Sequence, residues 1–478
     1  VRLAKNVLKF RIDEARQVLL YSPLTGALDL VSPETVESLE ASGAGVTSPG
    51  LSDGATAYLL DRGYAYESPA AEAAAVAAGF DEYRRRESRS NVRFVLLPTL
   101  QCNARCPYCF IGKSIGTEDL MSDAILDDAF RAMDLLAEQR GRGCTKQLSL
   151  FGGEPLIDTP AQKRLMERVL VEGSERGFVI DVVSNALDLT AYVPLLKRYG
   201  VAQVQVTFDG PRDYHDTRRR AVDGRGPSFD RIVNGVEAAL TQGIRLNVRI
   251  LLDRNSIEML PELVRYFDGR GWFRDDNFRV HIGSIFDCFR CQPAKETAKH
   301  LGVREGNEKL YQICRRDPAV AELLALDWQG VGRLLSTGRF FPTAYRTCFG
   351  GTRTFAMDPG GGVYICETTA GRPEYRIGAF SPTLVLDADR VSALERRNVL
   401  NIPACQACSQ ALLCGGGCVF NAYVERGSYD EPGCRMIQET LEYGLNYYWP
   451  EIARRMRTPD DTPPARRPAG DACCPSRV

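Results

Sequence analysis

The chain has 478 residues, 44% of them hydrophobic, and 60 basic against 61 acidic side chains, for a formal net charge of -1. That length and composition fit two or three packed domains, and the balanced charge leaves no electrostatic footprint for nucleic acid or an anionic membrane. No apolar run is long enough to cross a bilayer and no cleavable signal sequence is recognised, so the 16 cysteines are read in a reducing, cytoplasmic setting, where clustered thiols are metal ligands or catalytic groups rather than disulfides. With only three histidines, His215, His281 and His300, metal sites rich in imidazole are nearly excluded.

Residues 1–68 read as a small mixed module. Strands are expected at 8–12 and 18–31, the second broken by the turn Ser22-Pro23-Leu24-Thr25-Gly26. Ser32 caps a helix that starts on Pro33 and carries Glu34 in its first turn. A second helix, 55–62, ends at Gly63, and 64–66 returns as a short strand. This order of elements resembles the winged-helix-like recognition module of peptide-modifying enzymes, in which a leader peptide adds a strand to the sheet edge. A plain structural cap on the next domain is the other reading. Residues 69–91 read as a linker helix.

From 92 to 300 apolar strands alternate with amphipathic helices, the pattern of a parallel sheet with crossover helices. Strands are expected at 93–98, 147–151, 178–184, 204–208, 245–252 and 278–285, and helices at 122–139, 161–176, 191–199, 229–242 and 258–269. Six such units close most of a barrel whose chemistry gathers at the C-terminal ends of its strands. The fold class expected is α/β: a partial (β/α)6 TIM-like barrel, a small N-terminal α+β winged-helix-like module, and a C-terminal cysteine-rich cluster domain.

The loop after the first barrel strand places Cys102, Cys106 and Cys109 in a C-x3-C-x2-C spacing. A four-iron four-sulfur cluster usually takes four cysteines, so three in a tight loop leave one iron open to another ligand. A zinc knuckle or three incidental thiols is the alternative, although no histidine lies nearby to complete a zinc site. After the second strand comes Gly152-Gly153-Glu154-Pro155, at the same rim; glycines there admit a ligand to the backbone, and a carboxylate suits an ammonium group.

Over roughly 92–290 the chain resembles the radical S-adenosylmethionine (radical SAM) superfamily. Cys102, Cys106 and Cys109 match its cluster motif, with Tyr108 as the aromatic residue between the last two, and 152–155 match its GGEP motif. The resemblance implies a 4Fe-4S cluster on which S-adenosylmethionine chelates the open iron and is cleaved reductively to a 5'-deoxyadenosyl radical, with the electron coming from a donor such as flavodoxin or ferredoxin. Gly152, Gly153 and Glu154 are thereby implied in cofactor binding. Thr207-Phe208-Asp209-Gly210, followed by His215, Asp216 and Arg219, resembles further family segments and implies SAM contacts for Thr207 and Arg219; the other reading of Arg219 is a solvated member of the run Arg218-Arg219-Arg220. Ser184 and Asn185, at the end of the third strand, are candidates near the ribose or simple turn residues.

Residues 301–344 read as a helical connector. Seven cysteines then fall between positions 348 and 434: Cys348, Cys366, Cys405, Cys408, Cys414, Cys418 and Cys434. Four of them could hold zinc, but seven suit two clusters better than one tetrahedral site. Across 345–457 the spacing resembles the SPASM extension of radical SAM enzymes. That resemblance implies one auxiliary 4Fe-4S cluster on Cys405, Cys408, Cys414 and Cys434 and a second on Cys348, Cys366 and Cys418, making three clusters with the SAM-binding one. The second set lacks a fourth cysteine, which leaves either an open iron or a ligand recruited from elsewhere, for which Cys288 and Cys291 are candidates. Cys144 and Cys314 read as ordinary thiols, and Cys473 and Cys474 as free thiols in a disordered tail, 458–478, preceded by a helix over 436–455 kinked at Pro450.

The function expected is a peptide maturase that abstracts hydrogen from a ribosomally made precursor, its leader gripped by the N-terminal module, and installs a crosslink or other oxidative modification. A sulfatase-maturating enzyme that forms formylglycine is the alternative; such enzymes carry an aspartate after the cysteine corresponding to Cys366, where this chain has Glu367, a candidate catalytic base of longer reach. A zinc-stabilised scaffold without catalysis is the reading from another class.

Overall fold

The computed structural model describes residues 1–42, 52–111, 120–284, 294–340, 342–434 and 436–457. Cys288, Cys291, Cys473 and Cys474 lie outside the described residues.

Strands β1 (Leu8–Ile12), β2 (Gln17–Tyr21) and β3 (Leu28–Val31) form an antiparallel sheet. Alternation gives it two apolar faces. Leu20 joins Val36, Leu39, Leu59 and Tyr64 beneath helices α1 (Pro33–Ser42) and α2 (Asp53–Asp61), while Leu8, Phe10, Ile12 and Leu19 enter the main core. Helix α3 (Pro69–Ser88) follows, capped by Ser68, whose side chain accepts from the Ala71 N–H, with Pro69 in the first turn where its missing N–H is not needed.

The six βα units are present: β4 (Val92–Leu96), α4 (Asp123–Gly141), β5 (Lys146–Leu150), α5 (Pro160–Glu175), β6 (Val179–Val183), α6 (Leu189–Arg198), β7 (Gln203–Phe208), α7 (Arg212–Arg218), α8 (Ser228–Thr241), β8 (Leu246–Leu252), α9 (Leu260–Gly269) and β9 (Phe278–Ser284). All neighbouring pairs from β4 to β9 are parallel. Ser122 and Thr159 cap α4 and α5, each accepting from the N–H three residues on. One pleat face, including Phe94, Leu148, Ile180, Val206, Val248 and Ile250, is fully buried against the helices.

The barrel is partial, and its first strand is not an edge. Strand β10 (Thr354–Met357) pairs parallel with β4, from Thr354 opposite Arg93 to Met357 opposite Leu96. β11 (Gly362–Tyr364), β12 (Arg376–Ala379) and β13 (Val385–Leu386) continue antiparallel, so one sheet of ten strands runs β9-β8-β7-β6-β5-β4-β10-β11-β12-β13. The C-terminal cysteine region is therefore fastened to the barrel through backbone hydrogen bonds.

The expected kinked helix over 436–455 is instead two helices, α10 (Ile437–Tyr447) and α11 (Trp449–Arg457). The break falls at Tyr448, which puts Pro450 in the first turn of the new helix, where proline is tolerated. Helix α10 also covers the outer edge of β1: Gln438 Nε2 donates to the Lys9 carbonyl at 3.0 Å, Asn446 Nδ2 to the Arg11 carbonyl at 3.0 Å, and Asn446 Oδ1 accepts from the Asp13 N–H at 3.1 Å. Among the described residues no helix is long and apolar enough to cross a membrane.

Candidate active site

Cys102, Cys106 and Cys109 stand in the loop leaving β4, each partly buried. Burial pushes the Cys102 thiol up to about 12 and Cys106 to about 11, and each neighbouring thiol adds to the rise. Ala104 N–H donates to Cys102 Sγ at 3.4 Å, and Asn185 Nδ2 lies 3.7 Å from the same sulfur.

The two rim glycines serve a purpose other than the expected one. A Cβ on Gly153 would lie 2.0 Å from the Gln101 carbonyl oxygen, and one on Gly152, whose φ is +127°, 2.3 Å from the Thr99 oxygen. The approach that requires glycine is made by the base of the cysteine loop itself. Gly153 N–H donates to the Thr99 carbonyl at 3.0 Å and Glu154 N–H to the Gln101 carbonyl at 2.7 Å, locking the two loops together.

Glu154 is also occupied by the protein. Its carboxylate accepts from Ser184 Oγ at 2.7 Å, from the Asn185 N–H at 2.6 Å and from the Leu156 N–H at 2.9 Å. Burial nevertheless raises its pKa to about 7, against the pull of those donors. The carboxylate ties the ends of β5 and β6 together. Ser184 and Asn185 are thus drawn toward the cysteine loop: Asn185 Nδ2 donates to Asn103 Oδ1 at 2.7 Å, and Asn103 in turn donates to Asp188 at 2.9 Å.

Tyr108 is the hub of the opposite wall. Its hydroxyl donates to Asp209 Oδ2 at 2.5 Å and accepts from Arg219 Nη1 at 2.9 Å, while the Arg218 guanidinium sits 5.2 Å from its ring centroid. Arg219 lies 3.7 Å from Asp209 Oδ1, and Arg218 pairs with Glu296 and, at 3.5 Å, with Asp253. Arg218 and Arg219 are buried and only Arg220 is exposed, so the solvated reading of the run does not hold. His215 is fully buried, held neutral by desolvation, and its Nδ1 accepts from the Asp209 N–H at 3.2 Å; Asp216 caps α8 through the Ser228 and Phe229 N–H groups. Thr207 is inward-facing, in register with Arg249 on β8.

The later cysteines sort into two groups. Cys366 feels Cys348 and Cys418, whereas Cys405 feels Cys408, Cys414 and Cys434. Between them lies Arg397, 2% exposed, within electrostatic reach of Cys348, Cys405 and Cys418, with Nη2 donating to the carbonyls of Gly416 at 3.0 Å and Glu431 at 2.8 Å. Arg397 sits in an ordinary-looking charged stretch and carries no motif. Glu367, next to Cys366, is half-buried and lies within electrostatic reach of Arg249 and Asp181 on the barrel strands.

Among the described residues no group of three or more His, Cys, Asp or Glu side chains is placed to hold a single metal ion. The cysteines of an iron-sulfur cubane bind different irons and need not converge on one point. Three partly buried thiols, one of them met by two N–H groups at its sulfur, on a loop clamped by glycines, fit such a cluster.

The Radical SAM superfamily model matches residues 96–267. Residues 96–267 therefore form a radical SAM domain, and members of that superfamily hold a 4Fe-4S cluster and S-adenosylmethionine. A curated protein of Archaeoglobus fulgidus, described as uncharacterized, is 25% identical over 368 residues, covering 73% of this chain and 79% of that one. The serine-type anaerobic sulfatase-maturating enzyme of Bacteroides thetaiotaomicron is 23% identical over 395 residues, 74% of this chain and 87% of its own. The GTP 3',8-cyclase of Rhizobium etli is 29% identical over 180 residues, and the match spans only 47% of that protein. Among solved structures, anSMEcpe with bound AdoMet shares the fold with a TM-score of 0.57 at 16% identity, covering 76% of this chain and 99% of that one.

Proposed function

We propose that this enzyme is a maturase that oxidises a ribosomally made peptide or protein substrate within the barrel lumen, installing a crosslink or another oxidative modification. The observation that carries the reading is that Arg249, on the inward wall of the barrel, lies within electrostatic reach of both Tyr108 in the first cysteine loop and Glu367 beside Cys366. A substrate lodged there meets both cysteine regions at once. anSMEcpe, which has this fold, has been solved with AdoMet and a peptide, Cp18Cys, bound together, in keeping with a peptide in this position.

Cys102, Cys106 and Cys109 would hold the first cluster, and with S-adenosylmethionine it supplies a 5'-deoxyadenosyl radical able to take hydrogen from an unactivated carbon. The chain's own residues do the rest. Tyr108, Asp209 and Arg219 brace the cysteine loop, Glu154 fixes the β5 and β6 ends around it, and Thr207, Ser184 and Asn185 line the approach. Glu367 would receive a proton from the substrate as it is oxidised. Cys405, Cys408, Cys414 and Cys434 would hold one auxiliary cluster, and Cys348, Cys366 and Cys418 another. A one-electron donor such as flavodoxin or ferredoxin completes the system.

Residues 1–68 would grip the leader. Of the two outer edges of that sheet, β1 is covered by Gln438 and Asn446, while β3 has no strand partner on its far side among the described residues. A leader strand therefore has one edge to join.

Similarity to a sulfatase-maturating enzyme over 87% of that relative favours formylglycine formation as the second reading. Anaerobic reconstitution and reduction with S-adenosylmethionine tests both. Formation of 5'-deoxyadenosine with a mass loss of two hydrogens in a peptide encoded beside the gene supports the first reading. Oxidation of a Ser- or Cys-containing sulfatase peptide alone replaces it with the second, and no 5'-deoxyadenosine with any partner defeats both.

A further inference from the structure

In closed barrels the interior is filled by branched apolar side chains. Here the inward pleat of β4 to β9 is polar: Arg93, Ser149, Asp181, Asn247, Arg249 and His281. These groups are mostly paired with one another. Arg93 Nε donates to Ser149 Oγ at 3.0 Å, Ser149 Oγ to Asp181 Oδ1 at 2.9 Å, and His281 Nδ1 meets Asn247 Oδ1 at 2.8 Å.

Arg249 is the exception. Its side chain lies across β9 at Gly283, where a Cβ would come within 2.5 Å of its Nε, so the strand is left bare to make room for it. It is in register with Thr207 on one side and His281 on the other. The other arginines at this end are committed, Arg219 to Tyr108 and Arg218 to Glu296. Among the described residues no hydrogen bond or ion pair reaches the Arg249 guanidinium. Glu367, Asp209 and Tyr108 act on it only through space, and burial opposes its charge. An arginine cannot shed its proton to escape that cost, so a half-buried one with no partner among the described residues calls for an anion.

We propose that Arg249 anchors a carboxylate of the peptide substrate, an Asp or Glu side chain close to the residue that is oxidised. This rests on the peptide reading of the function. Glu367, whose own carboxylate has no partner among the described residues, faces the same space and repels a second carboxylate, so the acidic group is steered to the β8 wall and the substrate orientation is set.

The reconstituted enzyme is treated with phenylglyoxal and the modified arginines are located by mass spectrometry, with N-acetylglutamate amide, N-acetylglutamine amide or S-adenosylmethionine present. Arg249 is expected to be labelled in the presence of S-adenosylmethionine and protected about tenfold by the glutamate compound only. Protection by S-adenosylmethionine alone would assign the anion to the cofactor, and equal behaviour of the two amides would remove the carboxylate site; either overturns the proposal. In parallel, octapeptide pools with one position held as Asp, Glu, Asn or Gln are assayed for 5'-deoxyadenosine. The acidic pools should exceed the amide pools by about tenfold, a preference that Arg249→Lys keeps and Arg249→Gln loses. Modification without acid preference overturns the anchor and leaves the maturase reading intact. Protection of Arg249 with no peptide modified supports the carboxylate site and counts against the maturase.

Discussion

The Tyr108 hydroxyl donates to the Asp209 carboxylate at 2.5 Å, joining the half-buried cysteine loop to the buried end of β7. Tyr108→Phe removes the hydroxyl that donates to Asp209 Oδ2 and accepts from Arg219 Nη1. Loss of a buried charged hydrogen bond should destabilise the chain by about 1–3 kcal/mol, read as a lower urea midpoint with unchanged slope.

His281 gives the stability a pH dependence. Burial, reinforced by Arg249, lowers its pKa from 6.5 to about 4, and its polar partner is the neutral Asn247. The proton is held more tightly in the unfolded chain, so the stabilisation is full above about pH 6.5 and drains as the pH falls toward 4, on the order of 3 kcal/mol in all. Unfolding curves across that window should flatten in His281→Asn; an unaltered slope would show that other groups carry it.

Arg397 places a buried cation between the two later cysteine groups. Clusters held there would be easier to reduce beside a positive charge. Arg397→Met should therefore move auxiliary reduction potentials to more negative values in a spectroelectrochemical titration. It should also lower stability by about 1–3 kcal/mol, because the Gly416 and Glu431 carbonyls lose their donor.

Alanine at Cys102, Cys106 and Cys109 together should remove about four irons per chain and abolish 5'-deoxyadenosine formation. Alanine at Cys405, Cys408 and Cys414 should also lower iron while leaving the first cluster's spectroscopic signal. Iron and sulfide analysis with electron paramagnetic resonance separates the two. Survival of S-adenosylmethionine cleavage in the first variant would remove the central assignment.

The β3 edge makes a prediction about binding. Proline at Leu30 interrupts the strand ladder at that edge. Leader affinity, followed by anisotropy of a labelled precursor peptide, should fall by about tenfold, as expected for loss of about 1–2 kcal/mol of backbone pairing.

Much of the barrel was legible because its physics is local. Alternating apolar strands and amphipathic helices mark the βα units, and caps such as Ser122 and Thr159 mark helix starts within a residue or two. The helix break at Tyr448 was misplaced because proline was read as a kink inside a helix when it serves as the start of the next. Glu154 and the two rim glycines were legible as a motif, but their work was not: a glycine required by a ligand and one required by a neighbouring backbone are identical in sequence.

The sequence by itself determined the chemistry available to this protein, since cysteine spacing within a loop and strand periodicity are properties of neighbouring residues. Only the tertiary structure decided which distant groups meet. β10 joins β4 across more than two hundred residues, Arg397 falls between two cysteine groups, and Arg249, without a partner among the described residues, lies across Gly283 within electrostatic reach of Glu367. Such partners depend on strand register and on the order of the sheet, and no local pattern in the chain encodes them.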